Sequence, residues 1–397
     1  MEFNELRYQD PATQTYLGSP SLVKLPDGAL LGIHDYFGSR APRRTCGGDA
    51  GDSGAYHLTS VYRSDDDGAT WRNLTHVSGA FWNSLHVIDG EPYPGAVYML
   101  GVSHQYGHIV IRRSTDGGFT WSHPDDAQSG LLFRAQPGAQ GPNYHCAPVP
   151  IAVHNGRLYR AFEDNSPLDW PNGFQACVIS APLDADLLNA ANWRISEKLP
   201  FDPAWVAAYA PPEGFDKAGW LEGNVIVGPD GDLWNVLRVN ARSRRASSGA
   251  FGELWNKVAL VRVENEGRAL TFDPATGFID LPGGHSKFTI RRDPVTGHYL
   301  TLSNGVRDEE HPSLRSMLGL YASEDLRHWR GCATLLEDDS DLTWERSAAL
   351  TGFQYVDWHF DGKDLIYLVR TAYDGAHNFH DANRVTFHRL RDYARFI

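Results

Sequence analysis

Two segments fifty residues apart in the chain carry one pattern. Ser64-Asp-Asp-Asp-Gly-Ala-Thr-Trp71 and Ser114-Thr-Asp-Gly-Gly-Phe-Thr-Trp121 both read S-x-D-x-G-x-T-W, and Ser323-Glu-Asp-Leu-Arg-His-Trp329 is a degenerate third copy. Each follows a strand-like run (TSVYR, HIVIRR, LGLYA). Asp and Gly at this spacing suit a tight turn, because the Asp side chain accepts from nearby backbone amides and Gly tolerates positive φ. Asp66, Asp116 and Asp325 are therefore read as structural rather than catalytic.

A second repeat surrounds the first: an apolar strand, a turn with Asp-Gly or Asn-Gly, and another apolar strand. Its six copies fall at 19–38, 81–101, 146–164, 221–239, 287–305 and 353–374, about 50 to 75 residues apart. A fixed period of this length marks stacked units that bury their faces against one another, and one four-stranded propeller blade fits each copy. The expected fold is all-β, a β-propeller of six blades occupying residues 1–397 as one domain. A seventh blade is open if the N-terminal strand and the stretch 182–219 build it. Segment 182–196 reads as a short helical turn, and the loops 39–57, 123–143, 200–218 and 240–256 as walls around one end of the propeller.

Composition agrees with many strands and turns: 39 Gly and 23 Pro interrupt a chain that is 42% hydrophobic. A formal charge of −13 without a basic segment argues against nucleic acid. No run is long and apolar enough for a membrane span or a signal peptide in the sequence given, so no membrane partner is expected, and the location stays open. Cys46, Cys146, Cys177 and Cys332 lie far apart without a CxxC pair and read as buried free thiols.

In a propeller the innermost strands converge on an axis, so polar residues at matching places in several blades nominate a pocket. His86, His104 and His108 come from the second repeat; Tyr144, His145 and Arg160 from the third; Trp220, Glu222, Asn224 and Arg238 from the fourth; Lys287 and Asn304 from the fifth; Arg370, His377, Asn378 and His380 from the sixth. Histidine titrates closest to neutrality and suits proton transfer, although a lone His is more often structural. Arg160, Arg238 and Arg370 share a place near the end of a second strand. There each either pairs with an acid such as Glu163 or Glu222 or awaits an anionic ligand. His377-Asn378-Phe379-His380-Asp381 offers possible ligands for a zinc or calcium ion, but hydrogen bonding within a loop is the default. Trp82, Trp170, Trp220 and Trp358 suit either sugar stacking or core packing.

The S-x-D-x-G-x-T-W turns resemble the Asp boxes of the sialidase superfamily, which implies a sialidase-type propeller. Sialidases carry an Arg-Ile-Pro segment, three arginines, an Asp acid and a Tyr/Glu nucleophile pair; this chain has Ser19-Pro-Ser-Leu-Val-Lys24 where Arg-Ile-Pro would stand. The segments GSPSLVKLPDG, YGHIVIRRSTDGG, WLEGN, PGGHSKFTI and AHNFHDANRVTFHRL look more like sialidase-fold polysaccharide lyases, especially L-rhamnose-α-1,4-D-glucuronate lyases and, more distantly, ulvan lyases. That resemblance implicates His86 and His104 (or His108), Tyr144, Arg160 and Arg238 in catalysis. Trp220, Glu222, Asn224, Lys287, Asn304, Arg370, Asn378 and His380 are then candidates for holding substrate.

The expected activity is β-elimination at a 4-linked glucuronate, releasing rhamnose from chain ends, with an anionic polysaccharide or oligosaccharide as partner and no cofactor required. Arginines would stabilise the anion that develops when the C5 proton leaves, and His or Tyr would move protons. Two rival readings stand. A glycoside hydrolase, such as a divergent exo-sialidase, would draw on Asp35, Glu163, Glu222 or Asp357. A propeller that merely binds carbohydrate or protein would show binding without turnover, and the tryptophans could stack on sugar in either case.

Overall fold

The structure, a computed structural model, describes residues 1, 3–42, 57–88, 93–136, 138, 140–210, 214–243, 254–306 and 313–397, without the side chains of residues 242 and 243. Cys46 and much of the loops 39–57 and 240–256 lie outside the described residues. Six antiparallel sheets form a six-bladed β-propeller. Counted from the axis outward, blade 1 is Ser21–Lys24, Leu30–Phe37, Leu58–Ser64 and Arg72–Ser78; blade 2 is Phe81–Ile88, Ala96–Val102, Ile109–Ser114 and Leu131–Phe133. The inner strands of blade 3 are Ala152–His154 and Arg157–Asn165, with Tyr144–His145 extending the same edge; those of blade 4 are Phe215–Val227 and Leu233–Ser243. Blade 5 begins with Thr289–Arg292 and Tyr299–Ser303, and blade 6 with Gly352–Asp361, Asp364–Ala372 and Arg384–Leu390.

The N-terminal strand Asn4–Tyr8 is the outer strand of blade 6, where Asn4 opposes Phe387 and Tyr8 opposes Arg384. Among the described residues no seventh blade forms. Within 182–219, Arg194–Ile195 and Leu199–Pro200 pair with the edge of blade 3, and Phe215 starts blade 4. The expected helical turn is a 3-10 turn at Ala190–Asn192, with Asn189 accepting from the Ala191 amide.

Apolar residues on both faces of the blades meet in six wedges, one for each junction. Leu31, Val61, Leu85 and Met99 fill the wedge between blades 1 and 2, and Leu22, Leu30, Ile366 and Leu368 the wedge that closes the ring between blades 6 and 1. Polar bonds on the axis reinforce the closure: Asp357 of blade 6 accepts from the Ser21 hydroxyl at 2.6 Å and from the Leu22 amide at 2.9 Å.

The repeated turns behave as their chemistry requires. Asp66 accepts from the Ser64 hydroxyl, the Thr70 amide and the Thr70 hydroxyl, and Asp116 makes the same set with Ser114 and Thr120. Those bonds, the Thr70 hydroxyl foremost, bring the Asp66 carboxyl down to about 2. In the third copy Asp325 accepts from the amides of Arg327 and His328. All three carboxylates are committed to turns.

Candidate functional site

A cavity of about 860 Å³ opens where the inner ends of the blades converge. Its size falls in the range of small-ligand sites. Blades 4, 5 and 6 contribute Glu222, Arg238, Arg315, Tyr355, Arg370 and His380 to its wall, whereas blades 1, 2 and 3 contribute Asp35, Trp82, Tyr106, His145 and Trp170.

The chain places these side chains by one device used in alternate blades. The innermost strands of blades 2, 4 and 6 each carry a β-bulge, between Phe81 and Ser84, Leu221 and Asn224, and Gln354 and Asp357. Within each bulge one residue is left-handed: Trp82 at φ 50°, Glu222 at φ 57° and Tyr355 at φ 54°. A bulge breaks the period of two and re-aims one side chain, and a left-handed conformation is costly for a residue with a Cβ. Three such residues, all in the wall of one cavity, mark it as the working end.

Glu222 and Tyr355 meet at its centre. The Tyr355 hydroxyl donates to Glu222 Oε1 at 2.8 Å, and Arg238 Nη1 donates to Glu222 Oε2 at 2.7 Å. Burial alone would keep Glu222 protonated, but Arg238, His145 and the two donated hydrogen bonds outweigh it and hold the carboxyl below its ordinary value. Burial and the neighbouring Glu222 push the Tyr355 hydroxyl up, so it is neutral near pH 7. A neutral hydroxyl is thus held on an ionised carboxylate, the arrangement of a nucleophile with its base.

Two more guanidiniums flank this pair. Arg370 lies 5.0 Å and Arg315 6.0 Å from the Tyr355 ring centre. Arg370 donates to the His380 carbonyl and Arg315 to the Gln354 side chain. Among the described residues neither makes an ion pair with a carboxylate, and burial lowers both, Arg315 to about 10. Each remains a cation near neutrality. His380, beside Arg370, is brought down to about 4 by that charge and by burial.

Asp35, on the second strand of blade 1, lines the cavity as a buried carboxyl. Its Oδ2 accepts from the Trp82 amide at 2.8 Å, while Oδ1 is buried with no hydrogen-bond partner among the described residues. Burial raises it from 3.8 to about 7, against the pull of the Trp82 amide and Arg370. Its space exists because residue 18 is glycine: a Cβ there would stand 1.8 Å from Asp35 Oδ1. On the next wall His145 Nδ1 is held by Glu163 Oε2 at 2.8 Å, and Glu163 Oε1 accepts from the Gly223 amide at 3.0 Å.

Of the residues nominated from the sequence, the cavity brings together Glu222, Arg238, Arg370 and His380, with Asp35, His145, Trp82 and Trp170. The others stand outside its lining. His86 is buried on Ser84 at 2.9 Å, and burial with Arg160 nearby keeps its ring well below the usual imidazole value. Arg160 is fully buried and donates to the Ser84 hydroxyl and the Ala147 carbonyl. His104 meets Ser103, His108 accepts from the Ala135 amide, and Tyr144 pairs with Asp164 across blade 3. Asn224 joins blades 4 and 5 through Phe288 and Ile290, Lys287 donates to Thr289 and the Val356 carbonyl, and Asn304 to the carbonyls of Met317 and Phe353. Asn378 caps its own loop by accepting from the amides of His380 and Asp381.

Trp220 is fully buried among Phe201, Trp205 and Phe272, and Trp358 is fully buried with its indole N–H on the Thr289 carbonyl. Replacing Trp220 with Ala is expected to cost about 3–5 kcal/mol of stability, read as a lower denaturation midpoint, by removing the centre of the wedge between blades 3 and 4. His377 and His380 both bond Asp381, and no group of three or more His, Cys, Asp and Glu side chains suited to a metal ion occurs among the described residues. Cys146 and Cys177 are buried free thiols and Cys332 a half-buried one.

Sequence reasoning missed Tyr355, Arg315 and Tyr106. A signal for Tyr355 was present: the inner strands of blades 2, 4 and 6 align as Trp82-x-Ser84, Glu222-x-Asn224 and Tyr355-x-Asp357, so Tyr355 occupies the place of Glu222. Arg315 and Tyr106 come from loops without such a register.

No protein-family profile and no curated protein sequence matches the chain. Solved structures do. An α-L-arabinofuranosidase of Fusarium graminearum superposes with a TM-score of 0.58 at 14% identity, over 98% of this chain and 96% of that one. A Trypanosoma rangeli sialidase, in complex with sialic acid, gives 0.55 at 13% over 98% of this chain and 57% of that one. A polysaccharide lyase acting as an ulvan lyase gives 0.51 at 12% over 94% and 79%. At such identities the likeness establishes the shared propeller fold.

Proposed function

We propose that this protein is a retaining glycoside hydrolase of sialidase type, acting on a sugar whose anomeric carbon bears a carboxylate. The observation that carries the reading is the Tyr355–Glu222 hydrogen bond of 2.8 Å, flanked by Arg238, Arg315 and Arg370 in one cavity. A carboxylate on the anomeric carbon repels an anionic nucleophile, which a neutral tyrosine avoids. Tyr355 Oη attacks that carbon and passes its proton to Glu222, while Asp35 protonates the departing glycosidic oxygen. Water then cleaves the tyrosyl intermediate with Asp35 as base, retaining configuration. Arg315 and Arg370 bind the sugar carboxylate.

The test is release of methylumbelliferone from its N-acetylneuraminic acid glycoside. Turnover that falls about a hundredfold or more in kcat/KM with Arg370→Met, carried mainly by KM, supports the reading. Cleavage of a neutral methylumbelliferyl arabinoside instead would sink it. A second reading, β-elimination at a uronate, has one observation in its favour: His145, oriented by Glu163, shares the cavity with Tyr106, their rings 6.2 Å apart. It requires the ultraviolet absorbance of an unsaturated uronate to rise during incubation with rhamnose-capped glucuronan.

A further inference from the structure

The cavity is divided. All three arginines and the Glu222–Tyr355 pair stand on blades 4, 5 and 6, while the facing wall of blades 2 and 3 is aromatic: Trp82, Tyr106, His145 and Trp170. Trp82 lies 4.5 Å from the His145 ring, perpendicular to within 25°, and 6.0 Å from that of Tyr106. Trp82 also belongs to the set of three left-handed bulge residues whose other members are Glu222 and Tyr355. The indole is half-buried against the wedge between blades 2 and 3 and also lines the cavity, so a strained backbone sets an aromatic side chain where a ligand can meet it.

We infer that Trp82, with Tyr106 and His145, forms the subsite for the leaving group, and that this group is a neutral sugar residue stacked through its C–H face. The inference rests on the proposed role of Asp35 for the assignment to the leaving group. The proton donor must touch the departing oxygen, and Asp35 is fastened to the Trp82 main chain at 2.8 Å. The departing group therefore lies along the Trp82 wall, with the carboxylate-bearing sugar against the arginines. Among the described residues that wall presents no arginine or lysine, and the carboxylate behind it, Glu163, is occupied by His145 and the Gly223 amide. It offers stacking area and one imidazole, which suits an uncharged sugar ring.

The test uses the intact protein and two variants, Trp82→Gly and Trp82→Phe. Glycine adopts φ near +50° without strain, so Trp82→Gly keeps the bulge and the main-chain amide on Asp35. Lactose is the first probe, followed by ligand-observed NMR titration, which needs no turnover. Trp82→Gly is expected to weaken lactose binding about tenfold or more, with Trp82→Phe close to wild type. Lactose binding unchanged in Trp82→Gly, or undetectable in the wild type, overturns the subsite.

Kinetics then separate this inference from the proposed reaction. With sialyllactose, Trp82→Gly lowers kcat/KM about tenfold or more beyond its loss on the methyl glycoside of the same acidic sugar. Equal losses on both substrates overturn the assignment to the leaving group. Lactose binding that depends on Trp82, in a protein that cleaves neither substrate, retains the sugar subsite and rejects the hydrolase reading.

Discussion

Replacing Tyr355 with Phe lowers kcat/KM on an acidic glycoside by roughly a thousandfold or more, on the order of 4 kcal/mol of transition-state stabilisation, with little change in stability. The substitution removes a single oxygen, and with it both the attacking atom and the 2.8 Å bond to Glu222. Glu222 keeps its contact with Arg238, so the buried charge stays paired and the fold is spared the cost of an orphaned carboxylate. Glu222→Gln gives a loss of similar size, and the double variant loses little more, because the two residues perform one step. Steady-state kinetics with thermal unfolding of each variant checks this. Activity of Tyr355→Phe within tenfold of wild type would rule out Tyr355 as the nucleophile.

The second large effect belongs to Asp35 and carries a sign in pH. Asp35→Asn is expected to lose about a hundredfold to ten-thousandfold on substrates with a sugar leaving group, and much less on the methylumbelliferyl glycoside, whose leaving oxygen needs little protonation. In the wild type the acid must hold its proton, so kcat/KM falls as pH rises through about 7, and the Asn variant lacks that limb. Stability follows the same group in a linked way. A carboxyl raised from 3.8 to about 7 by burial binds more proton folded than unfolded in that window, so its contribution to stability is lost as pH rises through it. Asn carries no such charge. Above pH 7 the inactive variant should therefore unfold at a higher temperature than the wild type, and a lower midpoint there would refute the buried, proton-binding Asp35.

The architecture was legible because it rests on local chemistry. The Ser64 and Asp66 turn satisfies itself within seven residues, and each copy of the apolar repeat announces a blade. The site was legible only in part, because it depends on bulges. An alternating pattern assigns Trp220, Glu222 and Asn224 to one face of a strand, yet the bulge between Leu221 and Asn224 sends Trp220 into a wedge, Glu222 into the cavity and Asn224 into a bond between blades. His86 shows the same limit: it lies four residues beyond Trp82 on one strand, and only Trp82 reaches the cavity. Single-residue register shifts decide function here, and composition does not record them. Arg315 and Tyr106 were illegible for another reason, since loops bring them in from outside the repeat.

The pairing of Asn4 with Phe387 makes the blade that carries Tyr355 and Arg370 a splice of two segments far apart in the sequence. Of all the blades, this one closes only when both of those segments are present. The proposed nucleophile and anion clamp are thus seated by a contact of very long sequence separation, the kind formed late because its loop-closure entropy is large. On the proposed mechanism, molecules in which this blade is still open would hold Trp82 and Glu222 in finished blades and yet be silent toward sugar, so activity would arrive as a property of the closed circle.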